Sequence, residues 1–161
     1  MMVTMQENGI HDAAPPPTER QVMWRAYFES SALLTHRLEQ TLKSQASLTL
    51  ADYNLLLLLT DAPGHRMRLG ELARRLVFSP SRLTYLMKTL TARGLVRREG
   101  VDCDGRGADA VLTDAGATAF EKAAALHSCE VHGLFLDHLS EQDTEALSRV
   151  FADLGARLGV R

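Results

Sequence analysis

The sequence predicts a mainly α chain of about six helices that carries one small β-hairpin. Three observations lead there. Leu, Ala and Arg are frequent while aromatics make up 6% of the 161 residues, a mix that favours helix over sheet. Apolar residues recur at helical spacing in six segments, most of them opened by a capping residue. Between residues 95 and 112 the pattern changes to two short extended runs around a Gly- and Asp-rich turn.

Residues 1–17 are Met-rich and polar and close on Pro15-Pro16-Pro17, which suits a disordered arm ending in a stiff extended stretch. Thr18 to Gln21 has the Thr-x-x-Gln form of a capping box. Behind it Trp24, Tyr27, Phe28, Ser31, Leu34, Leu38 and Leu42 keep helical spacing, giving a first helix over 18–44. Thr49, with Asp52 three residues on, starts a second helix over 50–60. Its run Leu55 to Leu59 makes it apolar nearly all round, so it belongs in the middle of the core. Asp61-Ala62-Pro63-Gly64 stops it, and a short extended stretch is expected at 66–68.

Leu69, Leu72, Ala73 and Leu76 mark a third helix, and Val77-Phe78 a turn. Ser79-Pro80 then pairs an N-cap serine with proline at the first helical position. Leu83, Leu86, Met87 and Leu90 form the buried stripe of this fourth helix, which Arg93-Gly94 ends. Leu95 to Arg98 and Ala110 to Leu112 read as strands joined by a long charged tip over 100–107. Thr113 caps a long Ala-rich helix expected to reach His138. Ser140 and Asp143 start the last one, with Leu147, Val150, Phe151 and Leu154 on its apolar side.

The net charge of -2 hides a strong asymmetry. Residues 64–107 hold ten Lys/Arg against four acids, so that segment carries +6 and the remainder -8. A basic lobe on an acidic body is the electrostatic footprint of a polyanion binder. The order helix, short turn, helix, hairpin over 66–113 is that of a winged helix-turn-helix. The outward face of the fourth helix presents Ser81, Arg82, Thr84, Tyr85 and Lys88, which suit base edges and phosphates in a major groove. Its N-terminus at Ser79 to Ser81 offers backbone N–H groups to a phosphate. Arg106 at the hairpin tip suits a neighbouring minor groove.

Other classes find less support. No Gly-rich phosphate loop, nucleophile motif or zincin helix is present, so an enzyme is not expected, and neither is a cofactor. A winged helix used for protein contacts would show an apolar face where Arg82, Thr84 and Lys88 stand. No apolar run is long enough for a membrane span, no secretory signal is evident, and Cys103 and Cys129 make no disulfide framework. The expected compartment is the cytoplasm.

The runs Leu69-Gly70-Glu71-Leu72-Ala73, Ser79-Pro80-Ser81-Arg82-Leu83-Thr84 and Leu90-Thr91-Ala92-Arg93-Gly94-Leu95-Val96-Arg97-Arg98 resemble the multiple-antibiotic-resistance regulator (MarR) family. So does Asp104-Gly105-Arg106 followed by Val111-Leu112-Thr113-Asp114-Ala115-Gly116. Upstream, Met23 to Tyr27 and Leu48 to Tyr53 fit its first two helices. The resemblance covers residue 18 onward. It implies one domain over 18–161, with 18–48 and 114–161 as dimerisation helices and 49–113 as the DNA-binding lobe. It further implies a homodimer on a pseudo-palindromic double-stranded operator, a repressor's role, and release by a small, often aromatic or phenolic, effector. By that analogy Arg106 is the wing arginine, and Asp104 braces the wing through an ion pair with a basic residue such as Arg97 or Arg98. Trp24, Phe28, Phe135, Phe151 and Leu154 are candidates for an intersubunit core.

Weaker signals point elsewhere. His127, Cys129, His132 and His138 cluster in the fifth helical segment, but His127 and His132 are five apart and diverge by about 140° on a helix. A tetrahedral metal site needs convergent ligands, so surface histidines are the better reading. Carboxylates at Asp102 and Asp104 flank Cys103 and oppose thiolate formation. The family's peroxide-sensing branch carries its cysteine near the start of the first helix, where none stands here. A metal- or redox-responsive regulator is therefore disfavoured. Trp24 and Tyr53 could stack on an aromatic effector, with Arg25 serving its anion, although core packing and ordinary surface roles account for them as well.

Overall fold

The computed structural model describes residues 16–100 and 107–159. The chain divides into two compact units, Met1–Leu33 and Leu34–Arg161. Among the described residues six α-helices and three strands follow in the order α1 (Glu19–Ala46), α2 (Leu50–Thr60), β1 (Arg66–Arg68), α3 (Leu69–Arg75), α4 (Pro80–Ala92), β2 (Val96–Gly100), β3 (Ala108–Leu112), α5 (Asp114–Leu134) and α6 (Glu141–Leu158).

In the first unit the capping box closes as expected. The Thr18 N–H donates to Gln21 Oε1 at 2.8 Å and the Gln21 N–H to Thr18 Oγ1 at 3.4 Å. The aromatic stripe of this part of α1 is exposed, with the Trp24 ring 5.7 Å from Tyr27 and 6.3 Å from Phe28. Of the proposed N-terminal arm, residues 1–15 lie outside the described residues.

In the second unit α2 occupies the core. Thr49 and Asp52 cap each other reciprocally, and Leu55, Leu56 and Leu59 are fully buried. They pack with Leu42 and Leu48, with Leu72 of α3, Leu90 of α4, Val96 of β2 and Ala123 of α5. An 11-residue helix that is apolar nearly all round finds partners on most of its sides. Gly64, at φ +63°, turns the chain out of the helix in a left-handed conformation open to glycine.

The sheet is larger than the hairpin the sequence pattern predicts. β1 joins it, giving an antiparallel order β1-β3-β2 with Arg66 opposite Val111 and Val96 opposite Leu112. β3 is therefore central, and four of its five residues are buried. The motif Leu-Thr-x-x-Gly acquires a physical meaning here. Thr113 Oγ1 donates to the Gly94 carbonyl at 2.7 Å and accepts from the Gly116 N–H at 3.0 Å. A Cβ at Gly116 would stand 2.0 Å from the Leu95 carbonyl oxygen, so only glycine lets the first turn of α5 lie this close to the chain entering β2.

α5 stops at Leu134, short of the expected His138. Phe135 leaves helical geometry at φ -139°, and a 3-10 turn follows over Leu136–His138. Gly133 weakens the last turn, while His132 Nδ1 to Asp137 (2.9 Å) and His138 Nε2 to the Gly133 carbonyl (3.0 Å) hold the corner. The Ser140/Asp143 capping box starts α6, and Gly159 ends it at φ +72°. Among the described residues no helix is long and apolar enough to cross a membrane.

Candidate nucleic-acid interface

The turn between α3 and α4 sets the geometry of everything beyond it. The Phe78 N–H donates to the Ala73 carbonyl at 2.9 Å and the Val77 N–H to the Arg74 carbonyl at 3.2 Å. This is a Schellman closure, whose left-handed position usually holds glycine. Here Val77 occupies it, at φ +54° and 87% exposed. A β-branched residue in that region is strained. Ser79 then caps α4 by accepting the Arg82 N–H at 3.3 Å, and its Oγ lies 3.1 Å from Ser81 Oγ. Pro80 has no N–H, so the Ser81 amide is the first-turn donor left for an anion.

α4 has two distinct faces. Leu83, Leu86, Met87 and Leu90 are buried, whereas Ser81, Arg82, Thr84, Tyr85 and Lys88 are exposed, as the periodicity predicts. Tyr85 stands out at 73% exposure. Thr84 Oγ1 donates to the Pro80 carbonyl at 2.8 Å, so its outward lone pairs can accept from a base amino group. The Arg82 guanidinium lies over the Phe78 ring at 3.9 Å. Sequence reasoning missed this contact, although the i, i+4 spacing across an N-cap was the available signal.

At its far end α4 is tied back to the core. Arg93 Nη2 donates to the Ser47 carbonyl at 2.8 Å, and Nη1 lies 3.6 Å from the buried Asp52 carboxylate. Asp52 thus serves both as the cap of α2 and as the counter-ion of Arg93.

The wing sheet carries an ion network that the sequence reading located only in part. Glu99 and Asp109 face each other across β2 and β3, a like-charged pair that would repel. Arg66 bridges them, with Nη2 3.0 Å from Glu99 and Nε 3.2 Å from Asp109. Arg97 Nε donates to Glu99 at 2.7 Å, and these arginines, Arg97 first, hold the Glu99 carboxyl below its usual range. Arg68 Nε lies 3.3 Å from Asp109 Oδ1, close enough for charge pairing though not aligned for a hydrogen bond. Arg98 is exposed on the same strand. Asp104, Arg106 and Cys103 lie outside the described residues, and so does the brace assigned to Asp104.

The expected effector residues fall in different surroundings. Trp24 and Arg25 line a shallow depression with Gln21 and Phe28 in the first unit. Tyr53 is buried in the second, its ring 5.5 Å from Phe120 and 4.6 Å from His127. His127 is consequently half-buried and not a surface histidine, and burial pushes its pKa down. Burial, with Asp61 nearby, pushes the Tyr53 hydroxyl up. A mostly apolar groove of about 600 Å³ runs beside α4, between Leu69 and Ala73 of α3, Leu83 and Met87 of α4, and the cations of Lys88 and Arg98.

Comparison with known proteins bears directly on this arrangement. Residues 46–107 match the MarR family model, and they contain α2, both helices of the turn and the start of the wing. The chain is 25% identical over 138 residues to the HTH-type transcriptional repressor YetL of Bacillus subtilis (strain 168), covering 86% of this chain and 81% of that one. The MarR family regulator AbsC of Streptomyces coelicolor superposes with a TM-score of 0.84 at 34% identity, over 91% of this chain and 99% of AbsC. Sco3205, a MarR family regulator of the same organism solved in complex with DNA, gives a TM-score of 0.82 at 30% identity, over 88% and 89% of the two chains. With a relative this similar matched over nearly its whole length, and with the α3–turn–α4 unit and the three-stranded sheet in place among the described residues, the chain belongs to the MarR family of transcriptional regulators.

Proposed function

We propose that the protein is a sequence-specific double-stranded DNA-binding regulator of the repressor type, acting as a homodimer on a pseudo-palindromic operator. The observation that carries this reading is α4. Its outward face is polar and cationic from Ser79 to Lys88 on a helix whose other face is locked into the core. Such a helix suits a major groove, with Arg82 reading a guanine, Ser81, Thr84, Tyr85 and Lys88 on bases or backbone, and Ser79 holding the cap. Arg97 and Arg98 stand on β2, and by the family resemblance Arg106 is the wing arginine that suits a minor groove. The complex of Sco3205 with DNA supports the same reading.

Pairing of two chains is supported by apolar surface at both ends of the sequence. In α1 Trp24 and Phe28 are exposed; in α6 Val150, Leu154 and Leu158 are. In this reading residues 18–48 and 114–161 are the dimerisation elements and 49–113 the reading lobe. A C2 pair would set the recognition helices about 34 Å apart, one turn of the duplex. Release by a small aromatic or phenolic effector is the regulatory half of the proposal. Within the second unit the groove beside α4 is its candidate site, an apolar wall with Lys88 and Arg98 for an anionic ring.

Selection of duplexes from a random pool, followed by competition with random DNA, tests this. The result expected is an inverted repeat, with Arg82→Ala weakening its binding by about 1–3 kcal/mol. Absence of any enriched sequence would overturn it.

A further inference from the structure

The arginines of the basic lobe divide by what their guanidinium edges touch. Arg66, Arg68, Arg74 and Arg97 each pair with a carboxylate, which occupies edge donors. Arg82 differs: among the described residues its partner is the face of a ring, that of Phe78, at 3.9 Å. A guanidinium carries five N–H donors, and contact with the face of one ring leaves those turned away from that ring free for a base. Stacking therefore restrains the side chain without consuming the donors that a base requires.

We propose that Phe78 is a positioning residue for DNA reading, a platform that holds Arg82 ready to fork onto a guanine. The inference rests on the reading of α4 as a recognition helix. The platform is itself built into the turn. Phe78 packs partly against the core, its amide is fixed on Ala73, and the residue before it is the left-handed Val77. Ser79, next in the chain, takes the Arg82 amide, so backbone and guanidinium of Arg82 are held from two consecutive residues. Arginine immobilised before contact loses less rotamer entropy on binding. Restraint of this kind sharpens discrimination at one base pair, while attraction to any duplex depends on charge, which Phe78 does not carry.

The test is base preference of the full chain on its selected duplex, with each position varied in turn, measured beside affinity for a random duplex. Arg82→Ala identifies the base pair concerned by loss of its preference, about 5- to 100-fold. Phe78→Leu is expected to reduce preference at that same base pair by about 2- to 5-fold, with random-duplex affinity unchanged. Phe78→Trp restores it. On the Arg82→Ala background Phe78→Leu has no further effect on preference. If Phe78→Leu leaves preference at that pair intact, or lowers binding equally with and without Arg82, the platform is refuted and Phe78 is only a packing residue. If the wild-type chain itself shows no preferred sequence, the recognition-helix reading fails and the platform with it, a result distinct from the previous one.

Discussion

α2 and α6 begin in the same way and end in opposite environments. Each opens on a reciprocal capping box, Thr49 with Asp52 and Ser140 with Asp143, and each bears several large apolar side chains. Yet α2 places Leu55, Leu56 and Leu59 wholly out of water, whereas α6 has no buried residue and leaves Val150, Leu154 and Leu158 exposed. Local signals decide where a helix starts; they do not decide what covers it. α2 is apolar nearly all round and packs against α3, α4, α5 and the sheet. α6 is apolar on one side only, and exposure of that stripe is what the proposed pairing of two chains would relieve.

The contrast can be broken most forcefully at the core. Leu56→Ala is expected to cost about 2–5 kcal/mol, because a fully buried side chain leaves a cavity that its neighbours only partly fill. Leu154→Ala, read by urea denaturation at concentrations where the chain is monomeric, is expected to stay within about 0.5 kcal/mol. At higher concentration it should raise the dimer dissociation constant. A dilute-regime loss as large as that of Leu56→Ala would mean that the α6 stripe is packed within its own chain.

The caps sharpen the comparison on a smaller scale. Thr49→Ala removes a partly buried cap whose partner Asp52 also faces Arg93, and about 1–2 kcal/mol should be lost. Ser140→Ala removes an exposed one, for about 0.5–1 kcal/mol. Equal losses would show that burial does not amplify the cap.

The smallest effect is expected from acidity. His127 stacks on Tyr53 beside α2, and burial lowers its pKa below the ordinary 6.5. A lowered folded-state value means that the unfolded chain binds the proton more readily. Stability is therefore full above pH 6.5 and declines as pH falls from there through the lowered value. His127→Phe should flatten thermal stability across that window; an unchanged slope would place the titrating group elsewhere.

Much of this molecule is legible in its sequence, and a large part of the rest depends on residues far apart along the chain. Thr18, Thr49, Ser79, Thr113 and Ser140 announce helix starts because a cap is a contact between residues three apart. The two faces of α4 followed from periodicity. β1 was seen as extended, but its place beside β3 depends on residues more than 40 positions apart. The same holds for Asp109, whose counter-ions Arg66 and Arg68 come from another strand. α5 stopped early because Gly133 and the His132–Asp137 contact outweighed a continuous Ala-rich pattern. The Phe78–Arg82 contact is a local exception: its i, i+4 spacing is visible in the sequence, but residue type alone does not set a cation on a ring.

The measurement that tests the central claim most directly is stoichiometry and affinity on one selected duplex, titrated with salt and competed with random DNA. Two chains per duplex are expected, with binding that resists the competitor and log affinity that falls steeply with log salt. One chain per duplex, or binding no tighter than to random DNA, would contradict the assignment of α4 and the wing to operator recognition by a pair of chains.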